Sequence, residues 1–300
     1  MAMKLVGMMP ARNEAWCLGL SLRVALMWCD AVIVLDHAST DRTPDIVEAV
    51  MGEEDPGRVL YIRNEDPKWD EMAHRQRMLV AARQIGATHL AIIDADEVVS
   101  GDIMHCEECI SAFRQAIETM AGESIMELPG YNLRNGLGQY HSNGVWGNRW
   151  FSTAFADNRL LHWGGDNFHH REPRGLKLQP YRPIEQGQGG VMHLWGASER
   201  RLIAKHALYK ITEHLRKMRP DSVIDREYSW AIKGDPQVPS FGTPSTWTYS
   251  PVSDSWWAPY AHLMGHLDID AEPWQEAEVR RLVAEHGHNE FSGLDLFGVA

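Results

Sequence analysis

The sequence predicts an α/β fold in which a mostly parallel sheet is flanked by helices. Through the first 130 residues, short apolar segments alternate with longer amphipathic ones, which is the pattern of strands joined by helices. We predict strands at residues 4–9, 31–36, 58–63 and 88–94. Apolar residues recur at helical spacing over 18–26 and 78–85. With 300 residues, 44% of them hydrophobic, the chain is long enough to bury a large core.

Residues typical of helix ends support these helices. Thr43 precedes Pro44, which predicts a capping hydroxyl followed by a proline at the first helical position. Gly86 stands where a left-handed residue is expected to end a helix. The same alternation of elements is therefore predicted by apolar spacing and by capping residues.

The rest of the chain has a different composition. Residues 130–190 hold eleven of the 25 glycines, three tryptophans and four histidines, which indicates loops and short strands shaped around a ligand. A strand at 190–194 and a long helix at 197–218, ended by Pro220, are predicted next. Beyond residue 234, repeated prolines and tryptophans predict an aromatic tail that is irregular but packed.

Charge and cysteine content narrow the function classes. The formal net charge of −12 argues against binding nucleic acid by bulk charge, although residues 200–219 concentrate basic side chains. Four cysteines are too few for a disulfide scaffold and fit a reducing compartment. Cys106 and Cys109 are more consistent with a helix face than with a zinc or redox site. Since no apolar run is long enough for a membrane span, we expect a cytoplasmic protein.

An acidic motif follows the fourth predicted strand. Asp94 and Asp96 are two residues apart, so in extended backbone both carboxylates point to one side at the carboxyl edge of the sheet. Two such carboxylates, completed by water and phosphate oxygens, suit Mg²⁺ or Mn²⁺ with a nucleoside diphosphate. The alternative is a helix N-cap with acids that favour the helix dipole. An EF-hand is excluded, because Val98 occupies a ligand position and no glycine follows it.

Two further polar loops follow the first and second predicted strands, at residues 10–14 (Pro-Ala-Arg-Asn-Glu) and 36–43 (Asp-His-Ala-Ser-Thr-Asp-Arg-Thr). Together with the Asp94–Asp96 motif, in this order and spacing, they resemble the family 2 glycosyltransferases of the GT-A fold. The resemblance covers residues 4–130 and implies a Rossmann-like, mostly parallel sheet with a loop-rich acceptor half. It departs at His37, where many relatives carry a second acid, and this leaves the nucleobase open.

The resemblance implies a role for each motif residue. Asp36 is expected at the base or ribose, Asp94 near the ribose and the metal, and Asp96 on the metal. Arg75 occupies the place of a basic or amide residue near the nucleotide, with a solvated helix face as the alternative. The residues expected around the donor are Pro10, Ala11, Arg12, Glu14, Asp36, Arg75, Asp94 and Ala95.

Three residues of the second half complete the predicted site. His193 ends a predicted strand where GT-A enzymes often draw a further metal ligand, although a lone histidine is more often structural. Asp166 is the predicted catalytic base of an inverting transfer, with His169 in reserve; an ordinary turn aspartate is the alternative.

The resemblance therefore implies a metal-dependent, inverting glycosyltransferase that moves a sugar from a nucleoside diphosphate-sugar, with UDP favoured, to an acceptor hydroxyl. A nucleotidyltransferase and a non-catalytic sugar-nucleotide or glycan-binding module are the alternatives. A saccharide or small-molecule acceptor is favoured, with a hydroxylated base in nucleic acid as another option. We expect residues 1–130 to bind the donor, 131–234 to bind the acceptor and perform catalysis, and 235–300 to pack on the domain.

Overall fold

The computed structural model describes residues 2–68, 70–147, 149–165, 171–177, 179–235 and 242–300. Within these residues it contains ten strands, whose bounds are β1 Leu5–Ala11, β2 Ala31–His37, β3 Val59–Asn64, β4 His89–Ile92, β5 Glu97–Gly101, β6 Ile125–Asn132, β7 Gln139–His141, β8 Arg149–Ala156, β9 Gly189–His193 and β10 Tyr249–Pro251.

Eight α-helices connect or follow the strands. Their bounds are α1 Leu18–Trp28, α2 Thr43–Glu53, α3 Glu71–Gln84, α4 Glu107–Glu118, α5 Glu199–Leu215, α6 Asp221–Lys233, α7 Asp254–Trp257 and α8 Trp274–His286. Among the described residues, no helix is long and apolar enough to cross a membrane.

Eight strands form one sheet in the order β3-β2-β1-β4-β8-β6-β9-β5. The first four are parallel to their neighbours, and β8 runs antiparallel to β4. Strands β1 and β2 are buried along almost their whole length, as expected of a sheet with helices on both faces. The carboxyl ends of β1, β2 and β4 therefore share one edge, where the three polar loops begin.

Two glycines allow the edge strand β5 to lie close to its neighbour β9. A Cβ atom on Gly101 would lie 2.3 Å from the Cα atom of Gly189, and both residues have positive φ angles, 99° and 103°. Because only glycine tolerates both the contact and the backbone conformation, this close approach of β5 and β9 depends on the pair.

The chain divides into two compact units that alternate along the sequence. The first comprises residues 1–130, 150–192 and 253–268, and the second comprises 131–149, 193–252 and 269–300. The predicted division into donor-binding, acceptor-binding and C-terminal segments stays a prediction. The predicted middle segment 131–234 contributes to both units, because the chain returns to the first unit after residue 149.

The four strands predicted at the start of the chain are confirmed within about two residues. Gly86, with φ 83°, follows α3 as predicted. The cap of α2 is different: the N-cap residue is Arg42, whose side chain makes no capping hydrogen bond, and Thr43 is the first helical residue, whose hydroxyl accepts from the backbone N–H of Glu14. The aromatic tail is more regular than predicted, because it contains α8.

Helices α5, α6 and α8 of the second unit pack around a buried apolar cluster that includes Ile211, Ile224 and Val279. Three of the basic residues at 200–219 are paired with acids. Lys210 is fully buried and bonds to Asp225 at 2.7 Å. Arg200 pairs with Glu272 and Glu276, and Arg219 pairs with Glu213 and Glu227.

The structure corrects the prediction that Cys106 and Cys109 lie on a helix face without bonding to each other. Cys106 and Cys109 form a disulfide at the start of α4, with their Cα atoms 5.1 Å apart. Their spacing, which we assigned to a helix face, brings both side chains to the first turn, where Cys106 is the N-cap residue. Cys17 and Cys29 are buried and are not part of a disulfide.

Candidate functional site

The loops that follow β1 and β2 are tied together by the polar residues of their motifs. Asn13 has a left-handed backbone, with φ 55°, and its N–H donates to Ser39 Oγ at 2.8 Å. Its side-chain oxygen accepts from the N–H groups of Thr40 and Asp41, at 2.7 and 3.2 Å. An amide side chain suits this position because its oxygen satisfies two backbone donors of the facing loop.

A second connection lies one residue further along the first loop. The N–H of Glu14 donates to Thr43 Oγ1 at 2.9 Å, and the N–H of Ala15 donates to Asp41 Oδ2 at 3.1 Å. The side chains of Asn13, Ser39, Asp41 and Thr43 therefore join the two loops to each other at this edge of the sheet. Sequence analysis gave no individual role to Asn13, Ser39 or Asp41, and it assigned Thr43 to a helix cap.

Asp36, the residue before the end of β2, is fully buried, with 0% of its surface exposed. Its Oδ1 accepts from Ser39 N at 3.0 Å, and its Oδ2 accepts from Tyr61 Oη at 2.7 Å and from Arg63 Nη1. The two oxygens are thus occupied within the protein. Arg63, whose side chain is one-third exposed, is the charged group of this cluster that reaches the surface.

Arg12, His37 and His74 form a polar group beside this cluster. Arg12 donates to the carbonyl oxygen of Pro67 at 3.0 Å, and its Nη1 lies 3.5 Å from His37 Nδ1. The rings of His37 and His74 are 4.5 Å apart. Burial and the neighbouring charge of Arg12 lower the pKa of His37 to about 4, so this residue is neutral at pH 7. A neutral imidazole therefore stands where many relatives carry an acid.

The other predicted donor-site residues of this edge have simple environments. Pro10 is half-buried, and Ala11 and Ala95 are buried. Glu14 accepts from the indole N–H of Trp16 at 2.6 Å. The carbonyl oxygen of Ala95 accepts from Ser21 Oγ at 2.6 Å and so links the acidic motif to α1.

Asp94 is held by two arginines. Arg75 of α3 donates from Nη2 to Asp94 Oδ1 at 3.0 Å, and Arg171 donates from Nη1 to Asp94 Oδ2 at 3.2 Å. Arg75 is 4% exposed and its Nε also bonds to Glu71 at 2.9 Å. Its Nη1 is buried and has no hydrogen-bond partner among the described residues. The alternative of a solvated helix face is therefore wrong for Arg75.

Arg171 and Glu97 complete this cluster, and sequence analysis assigned no role to either. Glu97, which is 2% exposed, accepts two hydrogen bonds from Arg171 at 2.6 and 2.7 Å. Arg171 also donates to the carbonyl oxygens of Ile92 and Ser152 at 2.9 and 2.7 Å. Burial opposes its charge, but the attraction of Glu97 and Asp94 outweighs burial and raises the pKa of Arg171.

The donor chemistry of the acidic motif fits a hard divalent cation. Asp96 is 8% exposed and supplies carboxylate oxygens of the kind that Mg²⁺ and Mn²⁺ prefer. Within the described ranges, no group of three or more histidine, cysteine, aspartate or glutamate side chains is arranged to hold a metal ion. An ion here would therefore need oxygens from a diphosphate and from water, which is the usual pattern for Mg²⁺.

His193 is the last residue of β9 and is half-buried. Its Nδ1 lies 3.0 Å from the side-chain oxygen of Asn132, the last residue of β6. The predicted strand is confirmed, and the predicted role as a metal ligand stays a prediction. Asp166 and His169 lie outside the described residues, so their predicted catalytic roles also stay predictions.

The family model of glycosyl transferase family 2 matches residues 8–160, just over half of the chain. The chain belongs to this family. The matched region contains the two polar loops, the Asp94–Asp96 motif and Arg75. Family membership decides against the nucleotidyltransferase that the sequence left open. No curated protein sequence matches the chain.

Several solved structures are similar to the glycosyltransferase. Residues 1–349 of TarS from S. aureus have a TM-score of 0.43 and 11% identity, over 94% of this chain and 88% of that one. The mannosyltransferase PcManGT from Pyrobaculum calidifontis, solved with GDP-Man and Mn²⁺, has a TM-score of 0.40 and 12% identity, over 94% and 74%. Glucosyl-3-phosphoglycerate synthase from Mycobacterium tuberculosis, solved with Mn²⁺ and UDP, has a TM-score of 0.29 and 17% identity, over 45% of each chain.

The predicted architecture of this family, a mostly parallel sheet flanked by helices, is confirmed. The three loops of the sequence motifs meet at the carboxyl edge of that sheet, as the family resemblance implied.

Proposed function

We propose that this glycosyltransferase moves a sugar from a nucleoside diphosphate-sugar, with a UDP-sugar favoured, to an acceptor hydroxyl in a reaction that requires Mn²⁺ or Mg²⁺. The observation that carries the proposal is Arg75. Its guanidinium is buried beside Asp94, and its Nη1 has no hydrogen-bond partner among the described residues.

An unsatisfied buried donor costs about 1–3 kcal/mol, so the site favours a ligand that supplies an acceptor. An oxygen of a diphosphate is such an acceptor, and a charged oxygen forms a stronger hydrogen bond than a neutral one. The rest of the Arg75 guanidinium is already oriented by Glu71 and Asp94. The protein therefore offers a preorganised positive group at the sheet edge where ligands of this fold class bind.

Asp96 is the residue that we propose to hold the divalent cation, since both oxygens of Asp94 are engaged by arginines. His193 stays our candidate for a further ligand. When bound, such a cation neutralises the negative charge that develops on a departing diphosphate.

For the transfer itself we propose an inverting reaction with Asp166 as the base that accepts the proton of the acceptor hydroxyl, and His169 as the reserve candidate. Arg171 holds Asp94 and Glu97 in place. We favour a saccharide or small-molecule acceptor. The basic segment 200–219 gives little support to a nucleic acid, because Arg200, Lys210 and Arg219 are paired with acids.

Calorimetric titration with UDP-sugars and GDP-sugars, in Mn²⁺ and in EDTA, tests the donor and the metal together. Substituting Arg75→Gln should weaken binding of the preferred donor by roughly 10–100-fold, since it removes a charged hydrogen bond worth about 1.5–3 kcal/mol. Arg77→Gln is the matched control, because Arg77 is exposed on the same helix. Melting temperatures show whether the Arg75 variant is folded. Equal donor affinity in Arg75→Gln and wild type would contradict the proposal.

Product analysis tests the stereochemistry. An inverting reaction gives a product whose anomeric configuration, measured by NMR, is opposite to that of the donor. If the configuration is retained, the proposed role of Asp166 is wrong, whereas the donor site would be unaffected.

A further inference from the structure

Two buried side chains of the second compact unit, Arg134 and His141, carry nitrogens that have no hydrogen-bond partner among the described residues. Arg134 is 4% exposed, and its Nε and Nη1 have no partner. His141 is 1% exposed, and both of its ring nitrogens have no partner. Because unpaired polar atoms are unfavourable in a protein interior, the two side chains together are suited to take up a polar ligand.

The backbone places both side chains on one face of a hairpin. Leu133 pairs with Tyr140 in an antiparallel bridge. The next N–H, that of Arg134, donates to the carbonyl oxygen of Gln139 at 2.9 Å. Arg134 therefore lies opposite Gln139, and His141 is two residues further along β7 on the same face. Such diagonal neighbours are about 7–8 Å apart, so one small ligand group can contact the long side chain of Arg134 and the ring of His141.

The charges around this pair favour an anion. Arg134 Nη2 lies 3.1 Å from Glu199 Oε1, and the Glu199 side chain is 62% exposed. Water screens such an exposed carboxylate, so this ion pair compensates the buried guanidinium only weakly. Burial, followed by the charge of Arg134, lowers the pKa of His141 to about 4, so this imidazole is neutral at pH 7. A negatively charged group bound here would supply the charge that Arg134 lacks.

Hydrogen-bond chemistry narrows the class of ligand. The two nitrogens of Arg134 only donate, so they require acceptor oxygens. A neutral imidazole has one N–H and one lone pair, so His141 can donate to an oxygen and accept from a hydroxyl. A carboxylate or phosphate with a hydroxyl beside it meets both requirements. The ring of His141 lies 5.1 Å from that of Tyr249, which is 37% exposed, so His141 is one side chain away from the surface.

We propose that Arg134 and His141 bind an anionic group of a ligand, either a carboxylate or a phosphate, that has a hydroxyl beside it. The anion takes the place of Glu199 at the guanidinium, so Arg134 exchanges an exposed partner for a bound one. The anion site follows from the second compact unit alone, whereas the assignment of this group to the sugar acceptor rests on the proposed function.

Histidine NMR on the full chain, without donor or metal, tests the anion site. In ¹³C-histidine-labelled protein at pH 7.5, the spectrum of His141→Gln assigns the His141 signal. Inorganic phosphate and glycolate are then titrated separately at constant ionic strength. The His141 signal should shift until the site is saturated, and the anion with the lower Kd identifies the preferred chemistry. An unchanged signal with both anions is the result expected if water alone occupies the cluster, and it would overturn the proposal.

Variants show whether the anion binds at Arg134. Arg134→Gln should weaken binding by roughly 10–100-fold, because it removes charged hydrogen bonds. Glu199→Gln should strengthen binding by up to about fivefold, because it removes a competing exposed carboxylate. Arg226→Gln, at an exposed position of α6, is the matched control and should leave the Kd unchanged. If Arg134→Gln does not fold, Glu199→Gln decides, since misfolding does not tighten binding. Equal affinities in Glu199→Gln and wild type would then overturn the proposal.

Transfer assays separate this proposal from the proposed function. Wild type and Arg134→Gln are compared with a neutral hexose, its 6-phosphate and its uronic acid as acceptors. Wild type should prefer one of the two anionic acceptors, and Arg134→Gln should lose that preference. If His141 responds to anions but the preference is the same in both proteins, the assignment to the acceptor is wrong. Absence of turnover with every nucleotide-sugar would contradict the proposed function, on which the NMR titration does not depend.

Discussion

Asp36 lies near the end of β2 and Asp94 just after β4, the two strands that flank β1, yet their surroundings differ. Asp36 has no exposed surface and gives both oxygens to Ser39, Tyr61 and Arg63. The side chain of Asp94 is 31% exposed and is bound by two arginines. One of them, Arg75, has a donor with no partner among the described residues. Both oxygens of Asp36 are therefore bonded within the protein, and its predicted contact with the base or ribose stays a prediction, whereas the surroundings of Asp94 can still accept a ligand.

Two acids at similar motif positions can therefore differ in what they bind. A buried carboxylate whose two oxygens both accept hydrogen bonds contributes to the stability of the fold. It affects a ligand by positioning its hydrogen-bond donors. A partly exposed carboxylate with a preorganised cation beside it can act on the ligand directly.

The largest effect is expected at the acidic motif. Asp96→Asn removes the carboxylate that we propose for the cation, and turnover with a nucleotide-sugar and Mn²⁺ should fall by roughly 10²–10³-fold. Release of the nucleoside diphosphate measures this. Asp102→Asn is the control, because Asp102 is exposed only a few residues away. Wild-type turnover in Asp96→Asn would remove the acidic motif from the proposed chemistry.

The paired substitutions Asp36→Asn and Asp94→Asn test the comparison itself. Asp36→Asn should lower the free energy of unfolding by about 1–3 kcal/mol, since it weakens the buried hydrogen bonds of Tyr61 and Arg63. Because one-third of the Arg63 side chain is exposed, the loss of stability should be smaller than for a fully buried ion pair. Asp94→Asn should change stability less and donor affinity more.

Urea unfolding and donor titration on both variants make the measurement. The reverse ranking, with Asp36→Asn affecting donor binding and Asp94→Asn affecting stability, would show that the two acids have exchanged the roles assigned here.

The smallest effect concerns pH and His37, which lies next to Asp36. Its pKa is lowered to about 4 in the folded protein, against about 6.5 when unfolded. Between these values the unfolded state binds one more proton, so stability rises with pH by about 1 kcal/mol per pH unit and is lost as pH falls from 6.5 to 4. The buried residues His141 and His206 act in the same direction, since their pKa values are also lowered to about 4.

Urea unfolding at pH 4.5, 5.5 and 6.5 measures this dependence. His37→Gln should reduce its slope, whereas His288→Gln, at an exposed position, should not. Equal slopes in wild type and His37→Gln would show that His37 is protonated as readily in the folded protein as in the unfolded chain.

Much of the fold follows from local patterns. The first four strands and the left-handed Gly86 were predicted because apolar spacing and turn chemistry act over a few residues. The same locality explains the errors. Thr43 was assigned to a helix cap, but its hydroxyl bonds to Glu14, 29 residues earlier in the chain. Helix α8 was missed, because nearby prolines and tryptophans obscured its apolar spacing.

The family and the sheet edge could be predicted from the motifs, because three ordered motifs follow three strands whose carboxyl ends meet. The partners of the motif residues became visible only in the folded chain. The partners of Asp94 and His193 come from positions 77 and 61 residues away, Arg171 and Asn132. Such pairs are selected by packing, and neither apolar periodicity nor motif spacing carries information across that distance.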